Sequence, residues 1–409
     1  MKILIIGLNY YPELTGIGKY TGEMAEWLAK QGHDIRVICA PPYYPQWQID
    51  AAYLPNRYRC ESANGVVVFR IPLWVPRKPS GLSRIIHLLS FSFLALPKMF
   101  AQVRWRPDVV WMVEPPIASA PFVLLLGRIT KAKTWLHIQD FEVDAAFGLG
   151  LVKSAKLRKF IERGESWIMR KFDVVSSISS KMLARLSAKG VQEHVIRGFP
   201  NWADISNICP LGRPSKFREL YKIKPETVVA LYSGNMGKKQ GLETLAGAAR
   251  LLAADDRVFF VFCGQGAGRE DFEDQCKDLT NVLFLDLQPV DLLNELLGLA
   301  DIHLLPQRGD AADLVMPSKL TGMLASGRCV IAGATSSSEL GRVVMQDARC
   351  GLIVNPDDAP ALASAVIELA GSAELRESMG KLGREFAEQH LSRDGILTRF
   401  NEDLQNLIK

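Results

Sequence analysis

The sequence predicts an α/β protein of two doubly wound, Rossmann-like domains facing a cleft. Three observations carry that prediction. The chain has 409 residues, more than one ordinary core holds. Short apolar runs alternate with helical segments through both halves, the pattern of parallel sheets covered on both faces. A stretch rich in proline and turn residues, FPNWADISNICPLGRP at 199–214, separates the two sets. The domains are therefore expected over 1–205 and 206–385, each with a ligand edge at the carboxyl ends of its strands.

In the first half, KILIIGL, IRVICA, VVVFRI, DVVWMV, KTWLHI and VVSSI read as strands. The opening MKILIIGL is too short an apolar run for a signal-peptide core and suits a buried first strand. In the second half the strands are VVALYS, VFFVFC, VLFLD, IHLLP, CVIAG and GLIVN. Segments such as YTGEMAEWLAKQG and LETLAGAARLLAA have the spacing of helices between them.

A hydrophobic content of 48% with 23% charged residues is that of a soluble globular protein. Seven scattered cysteines without a CxxC pair point away from disulfides and structural zinc, toward a reducing, cytoplasmic setting. The net charge of +5 hides an asymmetry. Residues 1–205 hold 27 Lys and Arg against 16 Asp and Glu, and the remainder holds 22 against 28. A basic half and an acidic half face different partners. No nucleic-acid partner is expected.

Four loops follow strand ends. In ELTGIGKYTGEMAEWL, Gly16, Gly18 and Gly22 nearly spell a dinucleotide fingerprint, but Leu8 to Thr15 intervene after the strand. The next strand ends in Cys39 rather than an acidic residue, so a dehydrogenase is disfavoured. Glu13 and Tyr20 break a Walker loop at the first glycine and after the lysine. Backbone amides near this helix start could still meet an anion or sugar hydroxyls. In LYSGNMGKKQGLETL, Gly234, Asn235 and Gly237 precede Lys238, Lys239 and a helix start. Amides and ammonium groups together suit a diphosphate, the plain alternative being a solvated basic turn. In PSKLTGMLASG, Lys319 follows Ser318 at a helix N-terminus, where a positive charge opposes the macrodipole and a bound anion would explain it. CGQGAGRED, with Gln265, suits close passage of a flat base. Together the four loops point to a nucleotide-diphosphate site.

At this point the motifs resemble those of retaining GT-B glycosyltransferases of the large family-four group, over essentially the whole chain. TGIGKYTGEMAEWLAKQGHDIRVICA is similar to that family's N-terminal loop, helix and second strand. FPNWAD resembles its N-G-x-D hinge, YSGNMGKKQGLE its G-R…K-G donor loop, and PSKLTGMLASGRCVIAG its E-A-x-A-x-G-x-P-V helix. Asn235 stands where relatives carry an arginine, and Gln240-Gly241 replaces the K-G pair, leaving Lys239 one residue early. The paired glutamates are missing, with Leu314 and Gly322 in their places and Asp310 and Asp313 off register. NYYPELTGIGKYTGEM, APPYYPQW and LHIQDFEVDA are similar to fucosyltransferases of bacterial exopolysaccharide assembly.

The resemblance implies a GT-B fold, with a C-terminal helix over 386–409 packing back on the N-terminal domain. It implies a nucleotide-sugar donor, GDP-fucose, and a polyprenyl-diphosphate-linked oligosaccharide acceptor. The donor-binding set is then Gly16, Gly18, Gly234, Asn235, Gly237, Gln265, Asp313, Ser318 and Lys319, with Lys239 at the departing diphosphate. Either His137 or Asp140 faces the sugar or acceptor, since Gln139-Asp140 aligns with the family's H-D pair as well as His137 does. No Asp-x-Asp pair occurs, so no metal and no cofactor are expected. A sugar-nucleotide 2-epimerase of the same fold, or a silent nucleotide-sugar-binding subunit, are the alternatives.

The basic half also suits a membrane. Residues 77–106 hold six basic residues and no acid around an apolar core broken by His87, Pro97 and Lys98. That core reads as too short and interrupted to span, and suited to shallow binding at an anionic inner membrane face. KSAKLRKF at 153–160 adds four positive charges. Helices packed within the domain are the alternative.

Overall fold

A computed structural model describes residues 1–13, 16–44, 46–77, 81–141, 155–237, 240–308 and 317–409. The chain divides into two units, one of residues 1–200 with 397–409, the other of residues 201–396. The division falls at Pro200, inside the turn-rich stretch.

The first unit is built on eight strands: β1 Lys2–Ile6, β2 Asp34–Cys39, β3 Arg59–Ala63, β4 Val66–Arg70, β5 Val109–Glu114, β6 Lys133–Ile138, β7 Val174–Ser177 and β8 Ile196–Gly198. Their order is β3-β4-β2-β1-β5-β6-β7-β8, parallel except for β3 against β4. The order reverses between β1 and β5, which leaves a crevice at their carboxyl ends. Leu4, Ile6, Val110 and Met112 from the sheet pack in one core with Phe91 and Met99 from two helices and with Ala95 between those helices. Residues from Leu397 onward complete this unit. Phe400 stacks on Phe199 at 4.5 Å and meets Trp135 edge-on at 5.0 Å, while Asn401 Oδ1 lies 2.7 Å from His33 Nε2.

The second unit has β9 Val228–Ser233, β10 Val258–Cys263, β11 Val282–Leu285, β12 Ile302–Leu305, β13 Cys329–Gly333 and β14 Gly351–Val354. All are parallel, in the order β11-β10-β9-β12-β13-β14. Alternate residues of β9 explain the layers. Val228, Ala230 and Tyr232 pack toward Leu245, Ala249 and Val366, whereas Val229 and Leu231 pack toward Phe217, Leu296 and Leu299. Here the order reverses between β9 and β12.

The twelve apolar runs all became strands, but β3 and β8 had gone unread. β3 is an edge strand of sequence RCESA, mostly exposed and without an apolar period. Its pairing is set by Asn64-Gly65, both at positive φ (53° and 80°), a tight hairpin turn that matches strand twist.

The run Gly81–Arg104 also departs from expectation. By length and composition alone it is long enough to cross a membrane. It is interrupted at Ala95, where the helix Gly81–Leu94 gives way to Leu96–Ala101 with Pro97 in its first turn. His87, Phe91 and Met99 are buried within the unit, so one face of the run belongs to its core.

Candidate functional site

In the second unit, the loops leaving β9 and β12 lie at the reversal point. Gly234 (φ 135°) follows β9 directly. That φ favours glycine, and a Cβ there would stand 2.4 Å from Lys319 Cε and 2.8 Å from its Nζ, so the lysine end would have to move. Lys319 opens the short helix Lys319–Ala325, and its ammonium turns back beneath the β9 loop. It donates to the Tyr232 hydroxyl at 2.9 Å and sits 4.3 Å from the centroid of that ring. The Tyr232 hydroxyl in turn donates to the Asn235 carbonyl at 2.6 Å. Burial lowers the Lys319 pKa to about 8 by desolvating the ammonium. A partly buried ammonium at a strand-end loop is prepared for an anion.

The β10 loop has a different task from the one its glycines suggested. Met236 N–H donates to the Gln265 carbonyl and Gly268 N–H to the Met236 carbonyl, both at 2.8 Å. A Cβ on Gly264 would lie 1.9 Å from the Gly234 oxygen. These glycines therefore let one loop support another. Gln265 is exposed, and its amide donates to Asp286 at 3.0 Å. Asn235 lies within this zipped pair, and Gly237 accepts from Gln240 N–H at 3.0 Å. Ser318 is exposed and makes no side-chain cap on the Lys319 helix. Gln307, just past β12, has a buried Oε1 without a partner among the described residues. It had not been singled out, and its only signal was its place after IHLLP. Lys239 and Asp313 lie outside the described residues.

In the first unit, a cavity of about 200 Å³ opens at the carboxyl ends of β1, β5 and β6. Asn9, Gly16, Trp47, Arg84, His87 and Asp140 are among its lining residues. Gly16 starts the helix Gly16–Lys30 at φ 57°, while Gly18 is packed beneath Glu13 rather than lining the cavity. Glu13 had been read only as a break in a phosphate loop. It is a buried organiser: it accepts from Tyr43 N–H and Tyr44 N–H at 3.0 Å and from Asn9 Nδ2 at 2.8 Å. Burial raises its pKa against those hydrogen bonds. Arg70, 2% exposed, ties the same region together by donating to the carbonyls of Tyr11 and Ala40.

The structure places the two candidates differently, His137 on β6 and Asp140 just beyond its end. His137 is 1% exposed and stacks on Trp111 at 5.4 Å. Its Nδ1 lies 2.9 Å from Ser176 Oγ, and the Gln139 amide reaches its Nε2 at 3.1 Å. Burial lowers its pKa to about 3, so the ring is neutral. Both nitrogens are spent on neighbours inside the unit, whereas Asp140 is exposed and lines the cavity. The expectation of a reacting histidine at 137 thus meets a packed core side chain.

Among the described residues, no group of three or more His, Cys, Asp or Glu side chains could hold a metal ion.

Residues 15–202 match the family described as glycosyl transferase 4-like domain, and residues 227–372 match glycosyl transferases group 1. The chain is 40% identical over 412 residues to a colanic acid biosynthesis glycosyl transferase, WcaI, of Escherichia coli (strain K12), covering 99% of this chain and 100% of that one. Sucrose-phosphate synthase from Thermosynechococcus elongatus is a structural neighbour with a TM-score of 0.73 at 17% identity, covering 100% of this chain and 99% of that one. HepE of Anabaena, in complex with UDP, gives 0.70 at 15% identity, covering 99% and 100%. At such identities the two structures speak for the fold alone.

Proposed function

The chain belongs to the glycosyltransferase family that joins a glycosyl transferase 4-like domain to a group 1 domain in a GT-B fold, and on that premise we propose that it transfers a sugar from a nucleotide-sugar to a lipid-linked acceptor. The sugar is fucose, the donor GDP-fucose, and the acceptor an oligosaccharide on a polyprenyl diphosphate. The product belongs to a colanic-acid-like exopolysaccharide, a reading supported by the likeness to WcaI. Retention of configuration follows from the family resemblance.

The observation that carries the donor site is the Lys319 ammonium held beneath Gly234 where the sheet order reverses. Transfer builds negative charge on the departing diphosphate while the sugar becomes oxocarbenium-like. Lys319, the β9-loop amides and Lys239 carry that charge, and the reaction runs without a metal ion. In the first unit, Asp140 orients hydroxyls of sugar or acceptor from the cavity wall.

Membrane attachment belongs to the same proposal. Leu82, Ile85, Ile86, Leu89 and Phe93 form an exposed stripe on the helix Gly81–Leu94. Phe160 and Trp167 are exposed on the basic helix Ala155–Met169. Both suit an anionic bilayer at the cytoplasmic face.

Thermal melting with a nucleotide panel tests the donor site. GDP and GDP-fucose should raise Tm more than UDP, and Lys239→Ala or Lys319→Ala should shrink the shifts given by all three. Equal or absent shifts across the panel would sink the assignment.

A further inference from the structure

We propose that Tyr232 is a positioning residue for donor binding: its hydroxyl holds the Lys319 side chain as an ammonium against the loop that follows β9. This rests on the glycosyl-transfer reading, in which Lys319 meets the diphosphate. Part of its test needs no nucleotide, so the two can fail separately.

The direction of one hydrogen carries the case. Tyr232 lies near the end of β9 and is 0% exposed, with its ring in the core that holds Leu245, Phe260 and Phe262. Its oxygen stands 2.6 Å from the Asn235 carbonyl oxygen, and a carbonyl only accepts, so the phenol hydrogen points there. Burial raises the Tyr232 pKa well above its ordinary value, and the phenol keeps that hydrogen. What it offers Lys319 Nζ, 2.9 Å away, is therefore a lone pair. An ammonium makes full use of such an acceptor. A neutral amine would bring a lone pair of its own, and this hydroxyl has no hydrogen left to meet it.

The surroundings make that one acceptor count. The Lys319 ammonium lies 4.3 Å from the centroid of the same ring, so the ring face and the hydroxyl both favour the charged form. Against them stands desolvation, imposed on a side chain without a carboxylate partner among the described residues. β9 brings the phenol to it, and the loop brings Gly234 and the uncharged Asn235, whose side chain lies toward Gly266. Since the same phenol oxygen also holds the Asn235 carbonyl, it ties the ammonium to the backbone of the loop. Lys319 is half-buried and still meets solvent, whereas Tyr232 is enclosed and acts through it.

Trace acetylation read by mass spectrometry gives the protonation midpoint of Lys319 in the full chain without any ligand. That midpoint should lie near pH 8 in the wild type. It should fall by about one pH unit in Tyr232→Phe, which keeps the ring and removes only the hydroxyl. The GDP affinities of the two proteins, measured by calorimetry, should nearly coincide at pH 6 and differ by about tenfold at pH 9, because the charge on Lys319 is what separates them. A variant that merely loosened the loop would lose the same factor at every pH. In the unaltered protein with carbon-13 at tyrosine Cζ, one ring signal should move with the Lys319 midpoint, a measurement that requires no variant to fold. The proposal is overturned if the two acetylation midpoints agree, if the affinity ratio is constant across pH, or if no tyrosine signal follows Lys319. If the midpoint moves as expected but GDP binds wild type and Lys319→Met alike, the donor reading fails, and the service of Tyr232 to a diphosphate fails with it.

Discussion

Lys319 combines two properties that seldom coexist, an ammonium group and a desolvated berth without a carboxylate partner among the described residues. Its pKa of about 8 means that it begins to lose its charge just above neutrality. A diphosphate bound beside it favours the charged form and raises that pKa. Binding above pH 8 must then take up a proton. GDP affinity should fall about twofold between pH 7 and 8 and by up to about tenfold per pH unit above that. Lys319→Met should bind weakly with no such dependence. Calorimetry in two buffers of different ionisation enthalpy measures both affinity and proton uptake, and a flat profile to pH 10 would contradict the role given to Lys319. At this scale the sequence was informative wherever a residue broke a local rule. Lys319 stood at the wrong end of a helix dipole, and the structure places its ammonium against Gly234 and the Tyr232 hydroxyl. His137 and Glu13 were opaque, because burial and hydrogen-bond partners come from distant segments such as Ser176 and Tyr43.

Among elements, the glycine-rich loop after β10 shows a use that composition did not reveal. Gly264 and Gly268 permit contact with the β9 loop, so their absence of side chains serves a neighbouring backbone. Composition alone cannot distinguish a loop that approaches a ligand from one that approaches another loop. β3 was missed for a related reason: an edge strand needs no apolar period, and its hairpin turn carried the signal instead. The helix Gly81–Leu94 was legible as basic and apolar, but not as two-faced. Its buried side supplies His87 and Phe91, and its exposed side supplies Leu82 at 71% and Phe93 at 58% exposure. Burial of that exposed stripe in lipid gives a direct test. The protein should co-sediment with phosphatidylcholine vesicles containing phosphatidylglycerol, and Ile85→Asp with Leu89→Asp should reduce the bound fraction about tenfold or more. Undiminished sedimentation of the folded double variant would remove this helix from the membrane contact.

Across the whole molecule, apolar runs and turn signals reached the fold because parallel strands buried on both faces leave long apolar stretches in the sequence. The two sheets reverse their strand order at β1/β5 and at β9/β12, and each reversal coincides with a feature able to take a ligand. Charge follows the same division, with the basic residues concentrated in the first half and the acidic excess in the second. The proposal of fucose rests on resemblance alone, since pocket chemistry depends on side chains brought together from many loops. The most direct test of a glycosyltransferase reading is transfer of radiolabelled fucose from GDP-fucose into organic-extractable lipid, using membranes that carry polyprenyl-diphosphate-linked oligosaccharide. Label should move into lipid with matching release of GDP, should require the acceptor, and should persist under a chelator. Release of GDP without acceptor, or nucleotide binding with no labelled lipid at any acceptor concentration, would contradict the account.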